Sequence, residues 1–174
     1  MKSVATSPRN SVRDRGSASG YDEDFYVWLL SQTKALRERR FQDLDLENLI
    51  EEVEDLARKL PHEVKGRLRV IIAHMLKWQF QPAKRSTSWH VTLLEQRFQL
   101  RELLDLSPSL ARRLPDFING AYETAARLAG AQMKLEKSQW RRTFPPECPW
   151  TPEQILDEEY LPNGARTNGA RKRG

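Results

Sequence analysis

One cysteine, eight glycines and three histidines in 174 residues remove several common designs at once. A lone Cys148 cannot form an intrachain disulfide or a thiolate zinc cluster, and it suits a reducing, cytoplasmic compartment. Strand-like runs of Val, Ile and Thr are nearly absent. No apolar run approaches the roughly 18 residues of a membrane span, so no membrane association is expected. The N-terminus has basic residues but no apolar stretch after them, and does not read as a secretory signal. There is no Gly-rich phosphate loop, no Walker pattern and no HExxH. The residues three before His62, His74 and His90 are Lys59, Ile71 and Thr87. The Glu-x-x-His pair of carboxylate-bridged di-metal bundles is therefore missing. No metal, no cofactor and no catalytic residue is assigned.

What remains is rich in Leu, Ala, Glu, Arg and Gln, a composition that favours helix. The formal charge of +5 is carried by the ends: residues 1–20 sum to +3 and 163–174 to +4, leaving −2 for 21–162. Both tails are short of large apolar residues and cannot offset their ordering entropy, so they are expected to be disordered. Residues 21–162 form the expected single all-helical domain.

Helical signals follow in order. Asp22 or Asp24 caps a first helix with Phe25, Trp28, Leu29, Ala35 and Leu36 inward. Asp45 caps a second, whose stripe is Leu46, Leu49, Ile50, Val53, Leu56, Ala57 and Leu60, and Pro61 is expected to break the run or to open the next helix at its first turn. A third runs from about His62 to Phe80, with Val64, Leu68, Ile71, Ile72, Met75 and Leu76 buried, and stops before Pro82. Ser86 or Ser88 caps a fourth through Leu93, Leu100 and Leu104. Ser107-Pro108 opens a fifth that reaches about Lys137, with Pro115 breaking it near its start. Phe144-Pro-Pro-Glu-Cys-Pro-Trp150 cannot be helical. Thr151-Pro-Glu-Gln154 resembles a capping box that starts a short last helix. The expected fold is all-α: a bundle of four to five main helices with a C-terminal strap carrying Trp150, Ile155 and Leu161 over it.

Chemistry concentrates between residues 74 and 89. Trp78 and Trp89 bracket a basic, hydroxyl-rich turn, and His74 lies one helical turn before Trp78. If the second and third helices pack antiparallel, Glu47, Glu51 and Glu54 meet His74, Lys77, Gln81, Arg85 and Trp89 in one polar cluster, buried or lining a groove. Trp78, Trp89 and Arg85 are candidate anchors for a protein partner, because Trp and Arg dominate interface hot spots. Arg67, Arg69, Lys77, Lys84, Arg85, Arg97 and Arg101 with the two tryptophans form a second candidate surface. Bases stack on rings and phosphates track cations on such faces, so the 84–101 region or the basic tails offer nucleic acid a site.

Five blocks carry a family resemblance: Tyr21-Asp-Glu-Asp-Phe-Tyr-Val-Trp28, Leu44-Asp-Leu-Glu-Asn-Leu-Ile-Glu-Glu-Val53, His74-Met-Leu-Lys-Trp-Gln79, Arg85-Ser-Thr-Ser-Trp89 and Phe144-Pro-Pro-Glu-Cys-Pro-Trp150. In this order they resemble the bacterial family called domain of unknown function 29, over about residues 21–162. The resemblance implies bacterial origin and an all-helical, mostly stand-alone chain; it transfers no activity. The function expected from these readings is a small cytoplasmic protein-interaction or accessory module, without catalysis, engaging a protein partner or forming a homodimer. The alternatives are a nucleic-acid-associated accessory protein and, more weakly, a metal-dependent or hydrolytic enzyme built on the Glu/His cluster.

Overall fold

A computed structural model describes residues 20–162. The expectations for the tails 1–20 and 163–174 fall, Gly20 apart, outside the described residues. The chain is an all-α helical bundle with no strand among the described residues. The helices are α1 (Phe25–Arg37), α2 (Leu46–Phe80), α3 (Thr87–Leu106), α4 (Pro108–Ala111), α5 (Leu114–Gln132), α6 (Lys137–Thr143) and α7 (Pro152–Leu156), with short 3-10 turns at Phe41–Asp43 and Pro82–Lys84. Packing divides the chain after Asp55 into two compact units.

The first unit is a helical hairpin. The Asp24 carboxylate accepts the Val27 N–H at 3.0 Å and starts α1. Arg39 ends it at φ 57°, with the Arg40 N–H returning to the Ala35 carbonyl at 2.9 Å. That is a Schellman closure with arginine where glycine is commoner. Trp28, Gln32 and Ala35 form the buried line of α1. Gln32 accepts the Asp45 N–H at 2.8 Å, the Trp28 indole donates to the Asp45 carboxylate at 3.2 Å, and Tyr21 donates to Glu52 at 2.6 Å. These bonds set the start of α2 antiparallel to α1. Tyr21 and Phe25 cover the Trp28 ring, with centroids 4.8 and 5.6 Å away.

In the second unit α2 contributes Val64, Leu68, Ile71, Ile72, Met75 and Leu76, all fully buried. Leu93, Leu100 and Leu104 of α3 meet them, with Phe117, Ile118, Ala121, Ala125 and Ala129 of α5. Small residues let elements approach closely: a Cβ on Gly130 would sit 2.7 Å from Cβ of Trp140, so α6 packs hard against α5 at that point. The strap is as expected: Phe144, Trp150 and Ile155 are buried in the same core, and Leu161 packs against it.

Two expected boundaries differ. Pro61 neither breaks the run nor opens a helix; it lies inside α2, which runs 35 residues. A proline there removes one bond to the carbonyl of Ala57. Ala57 is exposed, so its carbonyl lies where solvent can reach it. The second and third expected helices are thus one. The fifth expected helix is two: α4 and α5 are separated just before Pro115, which falls in the first turn of α5 as the expected break near its start requires, and α5 ends at Gln132, not near Lys137, where α6 begins. Lys134 adopts φ 59° and the Leu135 N–H bonds the Gly130 carbonyl at 2.9 Å, a second Schellman closure.

Candidate functional site

The end of α2, the 82–84 turn and the start of α3 build the first candidate. Pro82 forces Gln81 out of helical geometry, to φ −129°, and the half-buried Gln81 accepts the Lys84 N–H through its carbonyl at 2.9 Å. Ser86 then caps α3 by accepting the Trp89 N–H. The turn folds the tryptophans and cations together. Arg85 lies 5.4 Å from the Trp78 ring centroid and donates from Nε to the Trp78 carbonyl at 2.9 Å. Lys77 places Nζ 4.7 Å from the Trp89 ring. His90 approaches the other tryptophan, Trp78, with ring centroids 6.2 Å apart.

Lys77 is 6% exposed, and burial pushes its ammonium below the usual lysine range. The ring quadrupole of Trp89 faces the charge in place of a carboxylate. His74 Nδ1 lies 2.9 Å from the Val70 carbonyl, which only accepts, so Nδ1 carries the proton. Burial first, with Lys77 nearby, holds the imidazole below its ordinary pKa despite that bond. It is neutral near pH 7, with Nε2 as its remaining acceptor.

Of the expected cluster, the structure joins Lys77 to Trp89 and Arg85 to Trp78, and sets His74 beside Lys77. The antiparallel pairing expected to bring Glu47, Glu51 and Glu54 to them required a helix break at Pro61, and α2 runs through it. Among the described residues no group of three or more His, Cys, Asp or Glu is placed to hold a metal.

The expected 84–101 basic face is also broken up. Arg97 is fully buried. Its guanidinium donates to the Ile155 carbonyl at 2.8 Å and to those of Gln154 and Glu158 at 3.4 Å. Arg101 donates to the Leu156 carbonyl at 2.8 Å and pairs with Glu158 at 2.9 Å. Arg67 is bound to Glu63 and Gln99. The two α3 arginines, one turn apart, satisfy the carbonyls that the end of α7 leaves without partners. Sequence reasoning missed this role. Its signal was the spacing Leu93, Arg97, Leu100, Leu104, which puts an arginine in the apolar stripe. Cys148 is half-buried, and burial raises its thiol pKa. A shallow groove of about 440 Å³, edged by Arg69, Val70, Arg127 and Leu128, takes in Arg69 of the expected basic face and none of the expected polar cluster.

The second candidate was read in the sequence as core. Leu46, Ile50 and Val53 of α2, and Phe25, Leu29 and Leu36 of α1, are exposed. Ile50 shows 57% and Val53 65% of its surface. On α1 these residues form the row next to the buried Trp28, Gln32 and Ala35. On α2 they form the row next to Leu49 and Glu52, which face α1. Both rows follow the buried line in the same rotational sense, and the arms are antiparallel, so both fall on one side of the hairpin. Tyr21, whose bond to Glu52 raises its phenol to about 12, stays a neutral donor and holds the open end of the two arms together.

A family model described as domain of unknown function DUF29 matches residues 21–161. No curated protein and no solved structure matches the chain.

Proposed function

We propose, from the premise that this chain belongs to the DUF29 family, whose description names no activity, that it is a small cytoplasmic protein-interaction module of a bacterial cell. The exposed apolar row that α1 and α2 share along the N-terminal hairpin carries this reading; Tyr26, Val27 and Leu30 add exposed apolar surface elsewhere on α1. A monomer rarely leaves so many large apolar side chains of one unit in water. The second unit has its own buried core. This reading assigns the chain no reaction. No helix among the described residues is long and apolar enough to cross a membrane.

Chemical cross-linking in the native lysate, with the full chain beside an Ile50→Glu, Val53→Glu variant, tests it. Wild type should give discrete protein adducts, with itself or another chain, that the variant lacks. Identical adduct patterns refute the reading.

A second reading has one observation behind it. Lys77 and Arg85 rest on indole rings instead of carboxylates, and Lys84 is exposed beside them. This leaves positive potential around aromatic surface, which suits single-stranded nucleic acid. Anisotropy with a labelled oligonucleotide, comparing wild type with Lys84→Glu, Arg85→Glu, decides it: equal affinities discard this alternative.

A further inference from the structure

We infer that the hairpin face is covered by the same face of a second copy of this chain, completing an isologous four-helix bundle across a two-fold axis; this rests on the interaction reading above. Area is the first argument. From their fractional exposures, Phe25, Leu29, Leu36, Leu46, Ile50 and Val53, with Phe41 at the closed end, expose roughly 700 Å², above the ~300–600 Å² of the largest patch on a typical monomer. It approaches the ~800 Å² that each partner contributes to a standard interface. Shape is the second. A two-helix layer with an apolar row along one side is half of a four-helix bundle, and a self-complementary layer can close on its own copy.

Two ways of closing exist. If the two-fold axis runs along the helices, α1 lies on α2 of the other copy, and Asp22 and Glu23 face Glu51 and Glu52. If the axis runs across the helices, each arm lies antiparallel on its own copy: the acidic start of α1 meets its basic end, and the α2 arm, whose charges between Leu46 and Asp55 are all acidic, meets itself. Each way brings acidic residues together and each opposes helix dipoles, so the shared face carries the inference and neither arrangement does.

The full chain, measured by sedimentation equilibrium across a wide concentration range, should reach twice its chain mass. Leu29→Glu and Ile50→Glu, both at exposed positions, should be monomers with unchanged helical circular dichroism. Leu106→Glu, in the second unit, should leave the dimer intact. A dimer that survives Ile50→Glu overturns the surface. A wild-type monomer throughout overturns the inference, and the cross-linking result then separates the two levels. Adducts with another protein that require Ile50 leave the interaction reading standing; no such adducts remove both.

Discussion

Replacing Arg97 by methionine, close in length and able to fill the same space, isolates what its guanidinium does. The substitution gives up a 2.8 Å bond to the Ile155 carbonyl and two longer ones to Gln154 and Glu158. Two effects oppose each other. Removing a charge from a buried site recovers its desolvation cost, and burial does depress the Arg97 pKa against the pull of Asp157, Glu158 and Tyr160. The carbonyls, however, belong to the main chain and stay behind. Charge-assisted bonds contribute about 1.5–3 kcal/mol, and an orphaned buried acceptor costs about 1–3 kcal/mol. One short and two long bonds place the net loss at about 2–4 kcal/mol. Denaturant unfolding followed by far-ultraviolet circular dichroism measures it. Hydrogen exchange should show residues 152–160 opening first. Arg101→Met, at an exposed position, should cost no more than ~1 kcal/mol. Arg97→Met at wild-type stability, or with residues 152–160 as protected as before, would refute the reasoning.

Three further outcomes are expected. Pro61→Ala should stabilise by about 1–2 kcal/mol, since an interior proline costs ~3 kcal/mol and its rigidity in the unfolded chain returns up to ~1 kcal/mol; a lower denaturation midpoint contradicts this. Gly130→Ala should cost about 1–3 kcal/mol, because the new methyl meets Trp140 at 2.7 Å and α6 must shift; thermal melts read it directly. His74 titrates below its unfolded value, so above about pH 6.5 it is neutral in both states and its burial carries no penalty. As pH falls below that value the unfolded chain takes up the proton first, and stability drops until the folded His74 titrates too. The midpoint should therefore decline more steeply on acidification in wild type than in His74→Gln; parallel curves would show that His74 is not responsible.

Helix starts were legible because they depend on local chemistry: Asp24, Ser86 and Thr151 each accept an N–H from the first turn, as their side chains and positions suggest. The strap was legible for a related reason, since its prolines exclude helix and its aromatic residues demand cover. Pro61 was not. Its steric rule is local, but its tolerance depends on whether the carbonyl it orphans is wet, which only the fold decides. The expected Glu51–His74 pairing rested on that one residue. Periodicity along α1 and α2 found the apolar rows but could not say what covers them, because amphipathicity is the same whether the cover is intramolecular or a second chain. Arg97 escaped notice because arginine is rarely buried without a carboxylate, and main-chain carbonyls leave no trace in composition.

The attachment of α7 to α3 has a consequence for what the C-terminal region can absorb. Arg97 and Arg101 read oxygens of the peptide backbone at Gln154, Ile155, Leu156 and Glu158, and every amino acid carries that oxygen. The identity of the side chains at these four positions does not enter those bonds, although Ile155 and Leu156 also pack on the core and Glu158 also pairs with Arg101. Length does: one residue inserted between Trp150 and Ile155 rotates the whole row of oxygens away from both guanidinium groups. In these bonds the seam depends on spacing and not on side-chain identity, a latch keyed to chain register.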